Sequence, residues 1–418
     1  TMRIAMLTNN YKPFVGGVPI SIERQAKALR ELGHEAMIFA PDYGDTEEEE
    51  GVIRCRIRKR RMANGMVYPR LFNPETESAF RREKFDCIHV HQPVYMGNMA
   101  LYLGRKYHIP IIYTYHTRYE DYLHYLPVFR EEEKAGAIRR LLIRAARERV
   151  IPWYMRWFTN RCDTVLAPTK GMKRDILLNG TSSLVEVFPT GLDEGFFEEH
   201  KETAIAVRKQ YGKDKKYLFC TVSRLEEEKN LFFLLKGMKK LKEEGMESFR
   251  LLLIGEGSLK GELEKTAVQC GLEDCVTFTG NIPNEELPAY LQASDLFLFS
   301  SKSETQGIVI QEALASGCPV IATRAIGVED TIEDGCNGYL AKEDVQEWCM
   351  KIWKALEGPG RGKMREEAKK SVSGYRNLAL AAREEQIYTN CIEAKWKEET
   401  AGEREHAAVS FSRLFKIT

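Results

Sequence analysis

The chain has 418 residues, 43% hydrophobic and 29% charged, a composition of water-soluble globular proteins and a length that suits two or more domains. The 62 Lys and Arg residues against 61 Asp and Glu leave a net charge of +1, so no global field favours nucleic acid or an anionic surface, and any such attraction has to be local. Ten cysteines with no C-x-x-C spacing point to reduced thiols in a cytoplasmic protein, and the absence of any eighteen-residue apolar run excludes a bilayer-spanning helix. The chain opens on a strand, which reads as leaving no room for a signal peptide.

Residues 3–8 are a short continuous apolar run, the pattern of a buried parallel strand. A turn containing Gly16 and Gly17 leads to a predicted helix over 21–32 and a second strand over 36–41. Strand, glycine turn, helix, strand is the opening of a doubly wound α/β domain. The two glycines are not a G-x-G-x-x-G and by themselves signal only a turn. The acidic residues 45–51 are followed by the basic run 54–61, which reads as a solvated edge strand protected by its charges. Residues 86–93 predict another strand with His89 and His91 on one face at period two. No third ligand lies near them, so a metal site is not expected; His91 falls at the carboxyl end, where ligands of open α/β sheets gather. The strand over 110–115 ends in His116, followed by Tyr119, Glu120, Asp121, Tyr122, His124 and Tyr125. Aromatic, acidic and imidazole groups crowded at a strand end have the composition of a site, not of a core. A long basic helix is predicted over 137–161 with a break expected at Pro152, bearing Trp153, Tyr154, Trp157 and Phe158 toward its end. Strands follow at 165–168 and 185–189.

A second doubly wound domain begins with the strand over 217–222. The segment 223–230, S-R-L-E-E-E-K-N, holds Arg224 and Lys229, which alone would be two surface cations. The strand over 251–254 turns at Gly255-Glu256-Gly257, and the strand over 276–280 runs into Asn281-Ile282-Pro283. The strand over 295–300 leads to residues 303–312, S-E-T-Q-G-I-V-I-Q-E. Here Glu304 falls in a loop, Gly307 at the turn and Glu312 in the opening turns of a helix that ends at Ser316-Gly317. The N–H groups of Gly307, Ile308 and Val309 form an anion site at that helix N-terminus. The two carboxylates suit hydroxyls, since each accepts two hydrogen bonds from a diol and repels phosphate. Phosphate on amides and hydroxyls on acids describes a nucleotide-sugar; spacing alone equally fits an ordinary strand–loop–helix with two surface acids. Strands over 320–323 and 338–340 complete the second sheet. Helices are predicted at 345–356 and 374–397, and residues 410–418 read as a disordered tail.

The E-x7-E of Glu304 and Glu312, followed by E-A-L-A-S-G-C-P-V-I-A-T, resembles the donor site of the retaining GT-B glycosyltransferases of carbohydrate-active family four. The resemblance runs from about residue 2 to about residue 397, with several separate segments matching in order. It implies two Rossmann-like domains facing across a cleft: 1–190 for the acceptor and 191–375 for the donor, a helix over about 376–400 crossing back, and a tail over 401–418. It also implies that Glu304 touches the transferred sugar, that Glu312 holds the ribose diol, and that His116 reaches the sugar from the first domain. Arg224 and Lys229 would clasp the diphosphate, with Ser223 standing where the family usually has Gly. Gly16 and Gly17 would approach the donor phosphates, and Glu256, Asn281, Ile282, Thr305, Gln306, Gly307, Ile308 and Val309 would complete the donor site.

The string H-T-x-Y-E-D-Y-x-H-Y beginning at His116 is similar to the bacterial enzymes that glycosylate diacylglycerol, and places the acceptor near 119–125. The resemblance thus implies transfer of a hexose, glucose first, from a UDP-hexose to diacylglycerol in an anionic membrane surface. The enzyme would be a cytoplasmic protein bound peripherally to the inner face of the membrane, with no nucleic-acid partner. No D-x-D occurs, so no metal and no cofactor is expected. Residues 54–61 and the arginines of 137–161, with Trp153, Trp157 and Phe158, are the expected docking surface. Competing readings are a family-four transferase with a soluble acceptor, a GT-B nucleotide-sugar epimerase, and a catalytically dead sugar-nucleotide sensor.

Overall fold

Short apolar runs separated by amphipathic helices leave this chain one economical solution, parallel strands buried on both faces. The computed structural model describes residues 1–14, 16–44, 46, 48–61, 67–70, 73–119, 137–302 and 304–414, of which residues 59–61, 68, 137–139, 399 and 402–414 are described by their backbone only. The chain divides into two units. The first comprises Thr1–Ala167, Lys173–Phe188 and Leu378–Thr418, and the second Pro168–Met172 and Pro189–Asn377. The short segment 168–172, placed by sequence with the first domain, therefore belongs with the second.

In the first unit the strands are β1 (Arg3–Leu7), β2 (Glu35–Pro41), β3 (Val52–Cys55), β4 (Ile57–Arg61), β5 (Val67–Pro69), β6 (Cys87–Val90), β7 (Ile111–Thr114), β8 (Thr164–Ala167) and β9 (Leu184–Val187). Among the described residues they form a sheet in the order β3-β2-β1-β6-β7-β8-β9, every neighbouring pair parallel, and a separate antiparallel pair β4-β5. The basic run 54–61 is thus not one edge strand. It divides between the end of β3, at the edge of the main sheet, and β4, which leaves the sheet to pair with β5. The final helix, Asn377–Leu414, packs with this unit and continues well beyond residue 397, where sequence ended it. Of the expected disordered tail, residues 410–414 are helical and 415–418 lie outside the described residues.

The second unit holds β10 (Tyr217–Val222), β11 (Phe249–Ile254), β12 (Val276–Gly280), β13 (Leu296–Phe299), β14 (Val320–Thr323) and β15 (Gly338–Ala341). They form a parallel sheet in the order β12-β11-β10-β13-β14-β15. Alternation along the strands feeds two cores. Phe219, Leu251, Leu253, Leu298 and Ile321 face one layer with Trp348, while Cys220, Leu252, Ile254, Phe299 and Ala322 face the other with Leu314. Both units are therefore Rossmann-like α/β domains. All ten cysteines are free thiols; eight are buried, and Cys270 and Cys336 are half-buried.

The basic helical stretch does not break at Pro152. Helix Ala137–Ala145 passes through a π-helical turn, Ala146–Val150, into helix Ile151–Thr159. Pro152 sits in the first turn of the last segment, so the widened turn before it accommodates a ring that would otherwise crowd the carbonyl of Glu148.

Candidate active site

Strand order in the second sheet reverses between β10 and β13. In an open α/β sheet a ligand binds beyond the carboxyl ends of the strands at such a reversal. The two loops there are 223–230 and 300–307, and they are stitched together: the hydroxyls of Ser300 and Ser301 donate to the carbonyls of Lys229 and Glu228, and Lys302 N–H donates to Glu228. Asn230, left-handed at φ 53°, ends the short turn Glu227–Lys229 and starts helix Leu231–Glu243. The cations this loop presents are both engaged. Arg224 Nη2 lies 2.9 Å from Glu228 Oε1, and Lys229 Nζ lies 2.6 Å from Glu304 Oε1. The Lys229 and Glu304 side chains are only 14% and 16% exposed.

The loop after β11 presses on the same backbone. Gly255 (φ +138°) leaves no room for a side chain, since a Cβ there would lie 1.9 Å from the Ser223 carbonyl oxygen. Ser223 Oγ is buried with no hydrogen-bond partner among the described residues. Glu256 turns its carboxylate to Lys260 (2.9 Å) at the surface. Beyond β12, Asn281 is exposed and Ile282 is half-buried against the core.

Gly307 takes the left-handed conformation (φ 67°) that starts helix Ile308–Ala315. The first N–H groups of that helix, on Ile308 and Val309, have no intrahelical partner and point out of its N-terminus. Glu312 lies on its next turn, 4% exposed. Gly327 lets its helix approach the Thr305 backbone, where a Cβ would fall 2.4 Å from the Thr305 carbonyl carbon. Gln306 is different. Its Oε1 accepts from Thr190 N–H (2.8 Å), and its Nε2 donates to Thr190 O (3.3 Å) and Gln311 Oε1 (2.5 Å). Its buried side chain ties the loop to the Thr190 backbone.

The first sheet reverses between β1 and β6. Its loops are laced by Asn9 N–H to Gln92 Oε1 (2.7 Å) and Gln92 Nε2 to Asn10 Oδ1 (2.8 Å). Gly16 is extended (φ 175°), a conformation open to any residue, and Gly17 begins helix Gly17–Glu31, so neither glycine is demanded by its backbone. At the carboxyl ends of β6 and β7 three histidines meet. His91 Nδ1 is 2.9 Å from His116 Nε2, and His89 stacks on His91 with ring centroids 4.4 Å apart. Behind them His89 Nδ1 is 2.6 Å from Tyr388 Oη and His89 Nε2 is 2.6 Å from Thr114 Oγ1; Tyr388 in turn donates to Glu384 (2.5 Å). Burial, reinforced by His89, holds His91 well below the ordinary imidazole range and brings His116 down to about 3. Tyr119 is described and half-buried, whereas Glu120, Asp121, Tyr122, His124 and Tyr125 lie outside the described residues. Among the described residues no group of three or more His, Cys, Asp or Glu is placed to hold a metal ion.

The expected docking residues divide. Phe158 is core: fully buried, edge-on to Tyr113 at 5.1 Å. Trp157 is half-buried between Tyr154 and the Arg161 guanidinium, which lies 4.2 Å from its ring centroid. Arg54 donates to the carbonyls of Lys12 and Pro41, and Arg56 pairs with Glu75 (2.7 Å), so much of that run serves its own domain. What remains outward is an apolar and basic face that sequence saw only in part: Leu141 (65% exposed), Leu142 (62%), Val150 and Trp153 (both 56%), with Arg140, Arg144 and Arg147 exposed beside them.

Comparison with known proteins covers both units. Residues 15–196 match the family described as Glycosyltransferase Family 4, and residues 204–372 match Glycosyl transferases group 1. The chain is 31% identical over 353 residues to an alpha-monoglucosyldiacylglycerol synthase of Streptococcus pneumoniae, covering 81% of this chain and 75% of that protein. It is 26% identical over 408 residues to the protein of the same name from Acholeplasma laidlawii, covering 94% and 98%. A GDP-mannose-dependent alpha-mannosyltransferase of Corynebacterium glutamicum is 28% identical over 346 residues, covering 81% and 76%. Anabaena HepE, solved with UDP and glucose, superposes with a TM-score of 0.70 at 19% identity over 93% of this chain and all of its own. This last likeness is one of fold.

Proposed function

The chain belongs to the group 1, family 4 glycosyltransferases of GT-B fold and is a hexosyltransferase, and on that premise we propose that it transfers glucose from UDP-glucose to the free hydroxyl of diacylglycerol with retention of configuration. One observation carries the donor half: of the two loops at the reversal of the second sheet, one bears Arg224 and Lys229, and the other bears Glu304, paired with Lys229, and runs into helix Ile308–Ala315 with buried Glu312. Cations and amides take the diphosphate, Glu312 the ribose diol, and Glu304 the sugar hydroxyls. Charge growing on the leaving diphosphate is met by Arg224, Lys229 and the Ile308 and Val309 amides, whose dipoles need no reorganisation as the bond breaks. The leaving phosphate oxygen takes the acceptor proton on the same face, so no separate base is needed, and protein cations serve where other enzymes use a metal. His116, neutral in its buried setting, is taken as a contact for the transferred sugar, as the family resemblance implies.

Similarity to the two diacylglycerol glucosyltransferases supports the acceptor. No helix among the described residues is long and apolar enough to cross a membrane. The face formed by Leu141, Leu142, Val150, Trp153, Arg140, Arg144 and Arg147 supports peripheral docking on the inner leaflet, each cation near an anionic surface contributing about 1 kcal/mol. UDP or GDP release is to be measured with UDP-glucose, UDP-galactose and GDP-mannose, on anionic vesicles with and without diacylglycerol. Diacylglycerol-dependent release from UDP-glucose, with an α-linked product, is expected. Turnover with GDP-mannose alone, or release indifferent to diacylglycerol, overturns the reading. Changing Arg140, Arg144 and Arg147 together to Glu should abolish vesicle binding and leave UDP affinity intact; full vesicle activity of that variant would remove this face from docking.

A further inference from the structure

Neutral histidines at 91 and 116 share one proton between the facing nitrogens, and two arrangements are open to them. If His116 donated from Nε2, His91 would carry its own proton on Nε2. That atom is buried with no hydrogen-bond partner among the described residues. An N–H orphaned in the interior is among the rarest features of folded proteins, and a bare ring nitrogen there costs less. The other arrangement puts the proton on His91 Nδ1, donating to His116 Nε2 over 2.9 Å, and leaves His116 protonated on Nδ1.

The ring of His91 is itself fixed. It lies against His89 with an interplanar angle of 24°, and His89 is held at both nitrogens. Tyr388 gives its proton to Glu384, so its oxygen accepts from His89 Nδ1–H; Gln25 Nε2 donates to the same carboxylate oxygen (2.7 Å). Glu384 and Tyr388 stand one turn apart on helix Asn377–Leu414, within the first unit. His89, held in one tautomer from the helix Asn377–Leu414, thus fixes the plane in which His91 faces His116.

We propose that His91 is a positioning residue for the transfer, locking His116 as the neutral Nδ1–H tautomer through a hydrogen bond braced by His89, Tyr388 and Glu384. Nδ1 of His116 is then a donor toward whichever group faces it, and a sugar oxygen that reaches it is met as an acceptor. The proposal rests on the reading of His116 as the sugar contact.

The test uses the full chain with ¹⁵N-labelled histidine. Long-range ¹H–¹⁵N correlation at neutral pH should show His116 with a protonated Nδ1 and a bare Nε2. His91→Phe keeps the ring and loses the donor, so His116 should become a tautomer mixture. On vesicles containing acceptor, its kcat should fall about three- to tenfold, the weight of one neutral hydrogen bond, with donor KM unchanged. His91→Asn places an amide N–H where Nδ1 stood and should restore both tautomer and kcat, which a loss of packing would not allow. A protonated Nε2 on His116 in the unaltered protein overturns the proposal, as does His91→Phe with unchanged tautomer and kcat. If His91→Phe does not fold, the unaltered spectrum and His91→Asn still decide. His116→Ala separates the two readings: full activity there removes His116 from sugar contact, while the spectrum alone judges the lock.

Discussion

Glu304→Gln should tighten UDP binding while slowing transfer. The side chains of Lys229 and Glu304 meet at 2.6 Å with about six-sevenths of each out of water. At an effective dielectric of about 20, charges that close attract by roughly 6 kcal/mol gross. Desolvation and lost rotamer freedom reduce this to the roughly 1.5–3 kcal/mol of a charge-assisted hydrogen bond. A diphosphate that draws on Lys229 must compete with this carboxylate for the same ammonium. Glutamine keeps the shape and removes the competitor, so UDP recovers about half of the pair, about 1.4 kcal/mol or a tenfold lower Kd. The sugar hydroxyls lose a charged acceptor at the same time, and kcat should fall by about ten- to a hundredfold. Titration calorimetry with UDP and steady-state kinetics read the two effects separately. Unchanged or weaker UDP binding would refute the competition, and an unchanged kcat would remove Glu304 from sugar orientation.

Arg224→Ala and Lys229→Ala should each cut turnover by about a hundredfold, and Lys229→Arg should not rescue fully because a planar fork replaces a compact charge; single-turnover rates check both. Glu312→Gln should raise donor KM more than it lowers kcat, since the ribose is held alike in ground and transition states; kinetics over a range of UDP-glucose show which. His91 and His116 are held below the 6.5 of a free imidazole, His116 at about 3, so under acid conditions the unfolded chain binds protons the folded chain refuses. Their contribution to stability is therefore complete above pH 6.5 and drains as pH falls toward 3. Urea midpoints at about pH 7 and about pH 4.5 should differ less in a His91→Phe, His116→Phe double variant than in the unaltered chain; an identical difference would contradict the assignment.

What the sequence disclosed was local. The apolar run of β13, the glycine at 307 and the helix after it lie within twenty residues, and their periodicities carry the strand–loop–helix without any partner being known. The strand and helix flanking 223–230 were legible for the same reason, whereas Arg224 and Lys229 stood out from other surface cations only through the family resemblance. The tie from Gln306 to Thr190 spans 116 residues, and nothing in either segment marks the other. The brace on His89 is longer still, 299 residues to Tyr388, and Tyr388 sits in a helix whose sequence reads as ordinary. Phe158 looked like its neighbours Trp153 and Trp157; only the packing of Tyr113 and Gly97 against it separates core from surface. The π-helical turn before Pro152 left no trace but the proline, which announced an irregularity and misplaced it.

The thiols give this protein an internal clock. Four of the eight buried cysteines, Cys55, Cys87, Cys162 and Cys391, lie in the first unit, and Cys220, Cys275, Cys318 and Cys349 lie in the second. Burial pushes Cys55 and Cys349 up to about 12 and Cys87, Cys162 and Cys318 well above the ordinary thiol, so these five present little reactive thiolate in the folded state. A timed pulse of alkylating reagent would therefore mark half-buried Cys270 and Cys336 first and then record, peptide by peptide, which Rossmann-like unit opens before the other. Because α-helix Asn377–Leu414 contributes Cys391 to the first unit, detachment of this helix would register as its own event, with no substitution needed.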